Sequence, residues 1–273
     1  MLKTGFVILA VVTLTAGLFF VAVQRSVADT LLFNRGLPTT NLNNAAGTDQ
    51  SNVSWADTES SSNPSQYYLP GDDFTLPTNA AVNDIRVWIV GAGDTAPGGL
   101  PSGLSLLGGE AGGPMSTISS TYMSTAVTYA DGELYQSGSG AYWNIYQVDF
   151  KVNQSLAANE TYDFFVDQPF VSGGGGNYYN AFLHASNASL SGSPQQGANG
   201  QFLWLNVDNT SQTVETWYSG TGEGTAGMPA GWNKNSDANV QVYGTAVPEP
   251  SSILLLSFGL FGLAVFKMRF RAA

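Results

Sequence analysis

The sequence predicts an all-β domain, an antiparallel β-sandwich of jelly-roll type, flanked by a signal-peptide helix and a C-terminal transmembrane helix. Apolar and polar residues alternate in short runs, most clearly over 142–152 and 161–167, which is the pattern of strands with one buried face. Clusters of Gly, Asn, Ser and Pro separate the runs, as in sheets joined by tight turns. No internal repeat favours the alternative architecture, a parallel β-helix.

The first 28 residues have the pattern of a signal peptide. Lys3 supplies a positive charge, residues 5–23 are uncharged and mostly apolar, and Ser26-Val27-Ala28 is a small-x-small cleavage site. Cleavage between Ala28 and Asp29 would make Asp29 the first mature residue. Because the apolar stretch is long, an uncleaved N-terminal anchor is the alternative interpretation.

Residues 29–246 form the extracytoplasmic body, which is long enough for one domain with its own core. We expect eight to eleven strands in it. In chain order they are predicted at 31–33, 53–56, 72–76, 81–90, 104–107, 142–152, 161–167, 178–185, 201–207, 212–219 and 239–245.

Three local features refine this prediction. Pro70-Gly71 has the composition of a turn, and the glycine-rich stretch 91–114 that of a long surface connection. The strands 142–152 and 161–167 are predicted to pair as a hairpin.

Residues 247–273 have the features of a membrane-stop segment. Pro248-Glu249-Pro250 interrupts any strand or helix, because proline fixes φ and lacks a backbone donor. The uncharged run 251–266 is at the short end of what spans a bilayer, and we predict a transmembrane helix there. The cations after it are predicted to stop transfer and stay in the cytoplasm; they are Lys267, Arg269 and Arg271.

The order of these three parts resembles the PEP-CTERM sorting signal, also described as an ice-binding protein C-terminal domain, a label that does not imply ice binding. The resemblance covers about residues 246–273. It implies a substrate of an exosortase, a membrane enzyme of Gram-negative bacteria. It also implies an inner-membrane-anchored precursor, delivery to the cell surface or matrix, and a context of exopolysaccharide and biofilm. An ordinary tail anchor is the alternative.

The charge of the body excludes nucleic acid as a partner. Of nine Lys and Arg and twenty Asp and Glu, the body keeps four cations and nineteen acids, a net charge of −15. Such a surface repels nucleic acid and anionic membranes. The chain has no cysteine, which removes thiol catalysis and thiolate metal sites.

Sequence patterns for catalysis are weak. His184 is the only histidine and no Gly-x-Ser-x-Gly motif accompanies a serine, so we predict a structural, hydrogen-bonded histidine. A glycosidase would need two carboxylates about 5 to 10 Å apart. Asp163 and Asp167 are about 13 Å apart along a strand, which is too far. Acids from different strands remain open.

Two binding hypotheses complete the analysis. Calcium could bind Asp72, Asp73 and Asp94, acids next to predicted turns, although no EF-hand pattern is present and no cofactor is the main expectation. Sugar rings could stack on exposed aromatic residues, for which the candidates are Trp217, Tyr218, Tyr178 and Tyr179. The leading hypothesis is an exported, non-enzymatic surface or matrix protein; the alternatives are a carbohydrate-binding module and a glycoside hydrolase.

Overall fold

The structure is a computed structural model. It describes residues 29–36, 53–56, 58–59, 67–91, 100, 103–127, 135–136, 142–167, 171–173, 176–178, 181–187, 196–197, 199, 201–207, 211–218, 236–247, 256 and 258–260.

Eighteen strands are found in this part of the chain. They are β1 (Thr30–Asn34), β2 (Val53–Ala56), β3 (Thr58–Glu59), β4 (Tyr67–Thr75), β5 (Ala80–Gly91), β6 (Ser105–Glu110), β7 (Ser116–Ser119), β8 (Tyr122–Ala126), β9 (Tyr135–Gln136), β10 (Tyr142–Leu156), β11 (Thr161–Asp167), β12 (Val171–Gly173), β13 (Gly176–Tyr178), β14 (Ala181–Asn187), β15 (Gln201–Val207), β16 (Gln212–Tyr218), β17 (Ser236–Ala238) and β18 (Val240–Ala246).

Two antiparallel sheets form a sandwich-like fold, which confirms the predicted class. The first sheet has the order β1-β18-β5-β10-β8, and β14 joins it beside β5. The second has the order β16-β15-β4-β11-β6-β7. The chain passes from one sheet to the other between β4 and β5, between β5 and β6, and between β10 and β11. The members of each of these three pairs therefore belong to opposite sheets, whereas β6 and β7, and β15 and β16, pair within one sheet.

Apolar residues of the two long strands β5 and β10 form the centre of the sandwich. Ile85, Val87 and Ile89 of β5 and Val148 and Phe150 of β10 are all buried in the main core between the sheets. Burial of side chains of this size stabilises a fold by about 1.5–3 kcal/mol each. This apolar layer holds the two sheets together.

The predicted hairpin of β10 and β11 is wrong. β10 pairs with β5 and β8, whereas β11 pairs with β4 and β6 in the other sheet. Apolar and polar residues alternate along both sequences, and that pattern is the same for a hairpin and for a connection that folds over the core. In the structure β11 is buried on both faces, with Phe164 in the main core and Phe165 in a second apolar cluster. Asn159 has a φ of 62° in this connection, and the Tyr162 hydroxyl accepts the Ala157 N–H at 2.7 Å.

The predicted turn at Pro70-Gly71 is also wrong, because both residues lie inside β4. A Cβ on Gly71 would lie 2.0 Å from the carbonyl oxygen of Phe164 and 2.4 Å from the Phe165 ring. The glycine is needed for close packing of neighbouring strands, not for a turn.

The stretch 91–114 is more than a surface connection. It contains β6, a strand between β11 and β7, and Leu106 of this strand is fully buried.

The transmembrane helix predicted at about 251–266 is not shown. Residues 256 and 258–260 are helical, and Leu256, Phe258 and Leu260 are exposed. Among the residues that the structure describes, no helix is long and apolar enough to cross a membrane.

Candidate functional site

The body ends in a strand that is held from both sides. β18 lies between β1 and β5, with Thr30 opposite Gly244 and Ala80 opposite Ala246. Val247 continues this pairing, because its N–H donates to the carbonyl oxygen of Asn79 at 2.7 Å. The Pro-Glu-Pro sequence follows directly, so no linker separates it from the sheet.

A buried ion pair lies next to β1, at the opposite end of β18. Arg35 Nη1 is 2.8 Å from Asp72 Oδ1, and both side chains are buried. Arg35 Nε donates to the Gln196 carbonyl oxygen at 3.2 Å and Nη2 to that of Gly197 at 3.1 Å.

Further carboxylates surround this pair. Arg35 Nη2 donates to Asp73 Oδ1 at 3.2 Å, and the buried Asp237 lies near enough to raise the pKa of Arg35. The Ala238 N–H donates to Asp72 Oδ2 at 2.6 Å. Burial raises the pKa of the Asp72 carboxyl, while the Arg35 charge opposes that rise. The Arg35 guanidinium thus contacts two acids of β4 and the backbone near residue 196, and Asp72 in turn accepts from Ala238 of β17 in the other sheet.

A cleft of about 430 Å³ adjoins the exposed side of this cluster. Its described lining includes Arg35, Asp73, Thr75, Asn159 and Asn199.

His184 is structural, as predicted. It is fully buried, and its Nδ1 lies 2.6 Å from Asn239 Oδ1, so the ring N–H donates to this oxygen in the neutral tautomer. Asn239 Nδ2 donates to the carbonyl oxygen of Arg35 at 3.3 Å, which connects the histidine to the ion-pair cluster. Burial lowers the pKa of His184 to about 4, with the Asn239 hydrogen bond acting in the other direction.

This pKa predicts an acid-dependent loss of stability. A histidine with a lowered folded-state pKa takes up its proton first in the unfolded state, so its contribution falls as the pH drops from about 6.5 towards 4. His184→Gln removes this titration. The destabilisation that the variant causes at pH 7.5 should therefore shrink by roughly 2–3 kcal/mol at pH 4.5, measured by urea unfolding of both proteins. An equal difference at both pH values would contradict a buried neutral histidine.

Two acids from different strands lie side by side, as the glycosidase hypothesis requires. Asp73 of β4 is directly opposite Asp163 of β11, a pairing that places their Cβ atoms about 4.5–5.5 Å apart. Burial raises the pKa of Asp163 to about 6, and the Asp73 charge adds to it. However, Asp163 is only 5% exposed, which leaves little room for a sugar beside its carboxyl group.

The remaining described cations of the body are also paired. Arg86 contacts Asp149 through two nitrogens, at 2.6 and 3.2 Å, and donates to the Tyr243 hydroxyl at 2.9 Å. Lys151 pairs with Asp84. In the part of the body that the structure describes, each Lys and Arg is therefore already engaged by a carboxylate.

The calcium and sugar hypotheses stay predictions. Asp72 and Asp73 lie within β4 and not beside a turn, and the guanidinium of Arg35 occupies the place that a cation would take. Asp94 lies outside the described residues. Among the described residues, no group of three or more His, Cys, Asp or Glu could hold a metal ion.

Most other predicted site residues fall where the structure gives no side chain. Trp217 and Tyr218 belong to β16, an outer strand of the second sheet, and Tyr178 ends β13; only their backbones are described. Asp29 is exposed and lies just before β1. The other predicted site residues lie outside the described part; they are Tyr179, Ala28, Pro248, Glu249, Pro250, Lys267, Arg269 and Arg271.

The Arg35 cluster was not predicted. Arg35 and Asp237 are 202 residues apart in the sequence, and no motif connects them. The only available signal was the rarity of cations in the body, which makes each one a candidate partner for a buried acid.

The protein is thus a two-sheet β-domain whose last strand leads directly into a C-terminal segment. That segment consists of a Pro-Glu-Pro sequence, an uncharged apolar run and a basic end. Comparison with known families shows what that segment is: residues 246–271 match the PEP-CTERM protein-sorting motif. The chain therefore carries this sorting motif, and the resemblance of its tail is confirmed. No curated protein and no solved structure matches the chain.

Proposed function

We propose that this chain is an exported, non-enzymatic protein of the cell surface or extracellular matrix, delivered by C-terminal processing of its sorting motif. The observation that carries the proposal is the sorting motif at residues 246–271, directly after the last strand of a folded body. Such motifs are recognised by an exosortase, which is the implied partner. The inner membrane of a Gram-negative bacterium is the implied site of processing.

Each part of the tail has a proposed role. Pro248-Glu249-Pro250 is the recognition element, and a helix over about 251–266 holds it at the membrane. Lys267, Arg269 and Arg271 stop transfer on the cytoplasmic side. The signal peptide, residues 1–28, starts export, so the precursor is held in the membrane at both ends until it is cleaved.

The acidic surface of the body agrees with delivery into a hydrated matrix. Its net charge of −15 opposes adsorption to anionic membranes and nucleic acid. A role in exopolysaccharide or biofilm remains part of the proposal, and a carbohydrate-binding role through Trp217, Tyr218, Tyr178 or Tyr179 is its nearest variant. The pair Asp73 and Asp163 is the specific feature in favour of a glycosidase, but the burial of Asp163 makes the non-enzymatic role the better supported one.

Substitution of Glu249 tests the proposal. In a host that has the processing enzyme, Glu249→Ala should leave the full-length chain in the membrane fraction, because the recognition element loses its only charge. Pulse-chase labelling and the change in mass on cleavage measure this. Glu110→Ala, which removes an exposed glutamate of the body, is the matched control and should be processed normally. Normal release of the Glu249→Ala chain would refute the sorting role.

A further inference from the structure

At one end of the sandwich, the body is joined to both predicted membrane segments, the signal peptide and the C-terminal tail. We call it the anchor pole and define it by Asp29, residues 77–79, residues 157–160 and Val247. Asp29 pairs with Asn83, and the next residue, Thr30, lies opposite Gly244. The end of the predicted signal peptide and the start of the sorting motif therefore leave the body side by side.

The shape of the anchor pole is fixed by hydrogen bonds. Asn79 accepts two hydrogen bonds, both at 2.7 Å. Its backbone carbonyl oxygen accepts the Val247 N–H, and its side-chain Oδ1 accepts the Ala158 N–H. The Asn159 N–H donates to the Leu76 carbonyl oxygen at 2.8 Å. Val247 is thus bound to the loop 77–79, and this loop is bound in turn to the loop 157–160, so the surface of the pole is preorganised for a partner.

The lack of a linker limits the space for a processing enzyme. Four fully extended peptide units, from Val247 to Ser251, reach at most ~14 Å. A single helix with its side chains is about 10–12 Å across. An enzyme that binds residues 248–250 at the membrane therefore has no room to act without touching the pole.

We propose that the anchor pole is a docking surface for the processing enzyme, so that recognition includes the folded body as well as the Pro-Glu-Pro sequence. This inference rests on the proposed sorting function. The described residues of the pole include the exposed acids Asp29 and Glu160 and no Lys or Arg, so they fit a protein surface with basic or hydrogen-bond donor groups. An acidic pole does not favour anionic lipid as the partner.

Two changes test the docking surface while the motif stays intact. The first inserts six Gly and Ser residues between Val247 and Pro248, which separates the motif from the pole without changing the body. The second is Thr78→Arg, which places a bulky cation on an exposed position of the pole. Thr125→Arg, an exposed threonine of β8 away from the pole, is its matched control.

The rate of processing of the full chain in pulse-chase labelling is the readout. We expect the spacer to slow processing about tenfold and Thr78→Arg at least about threefold, with Thr125→Arg close to the unchanged chain. Processing of the spacer variant at an equal or higher rate would overturn the docking surface, even if Thr78→Arg were slow through misfolding. Glu249→Ala in the same experiment separates the two ideas: if it too were processed normally, the sorting function itself would fail.

Discussion

Arg35→Met should lower the free energy of unfolding by ~3–5 kcal/mol, a large part of the roughly 5–15 kcal/mol that keeps an ordinary domain folded. The guanidinium is 1% exposed and lies 2.8 Å from Asp72, which is fully buried, as is Asp237. Without the cation, both carboxylates face a dry environment with no opposite charge. Their N–H donors, from Ala238 and Asn199, offset only part of that cost.

Chemical unfolding at pH 7.5 measures this loss, with Arg86→Met as the matched control. Arg86 also binds a carboxylate through two nitrogens, but it is 25% exposed, so water can solvate Asp149 when the cation is removed. Adding Asp72→Asn to Arg35→Met should recover part of the lost stability, because it removes the buried negative charge that has lost its partner. An Arg35→Met loss as small as that of Arg86→Met would show that the cluster is hydrated.

Gly71→Ala should destabilise the body by about 3–4 kcal/mol through a clash of backbones. A Cβ at this position would lie 2.0 Å from the Phe164 carbonyl oxygen, and no side-chain rotation can relieve a contact with the backbone. The strands β4 and β11 would have to separate, which weakens their ladder and the packing of Phe165.

Thermal and chemical unfolding of the variant measures this effect, and Gly108→Ala is its control. Gly108 lies in β6 of the same sheet, opposite Phe164 on the other side of β11. A Cβ on Gly108 would meet the tip of the Ile118 side chain at 2.9 Å, a contact that a rotamer change can relieve. Its nearest backbone atom would be the Asp163 carbonyl oxygen at 3.2 Å, a much looser contact than the 2.0 Å at Gly71. Equal losses for the two variants would contradict the backbone clash.

The sequence patterns were sufficient for features that depend on nearby residues. The alternation in β10 follows from burial of one face of the strand, and the apolar residues of period two in β5 and β11 lie in the same core, so Val87, Val148 and Phe164 could be read from the pattern. The sorting motif is contiguous and occupies a fixed position at the C-terminus, so its recognition needed no fold at all.

Sheet membership could not be read in the same way. β10 and β11 have the alternation of a hairpin, yet they belong to different sheets, because a face towards the core is equally apolar in both arrangements. Pro70-Gly71 has the composition of a turn and is a packing site instead. In both cases the local sequence indicates which backbone conformation is favoured. Which strands pair, and whether a glycine lies in a turn or inside a sheet, depends on residues far away in the chain.

By itself, the sequence determined the β class, the acidic body and the sorting tail, since all three depend on composition or on contiguous residues. Only the tertiary structure decided that Arg35 meets Asp72 and Asp73, that Asp73 lies opposite Asp163, and that the first strand of the body pairs with the last one before the motif. These contacts join residues that are far apart in the chain. They form because burial and strand pairing lower the free energy of the whole fold. A pattern of neighbouring residues contains no information about such distant partners.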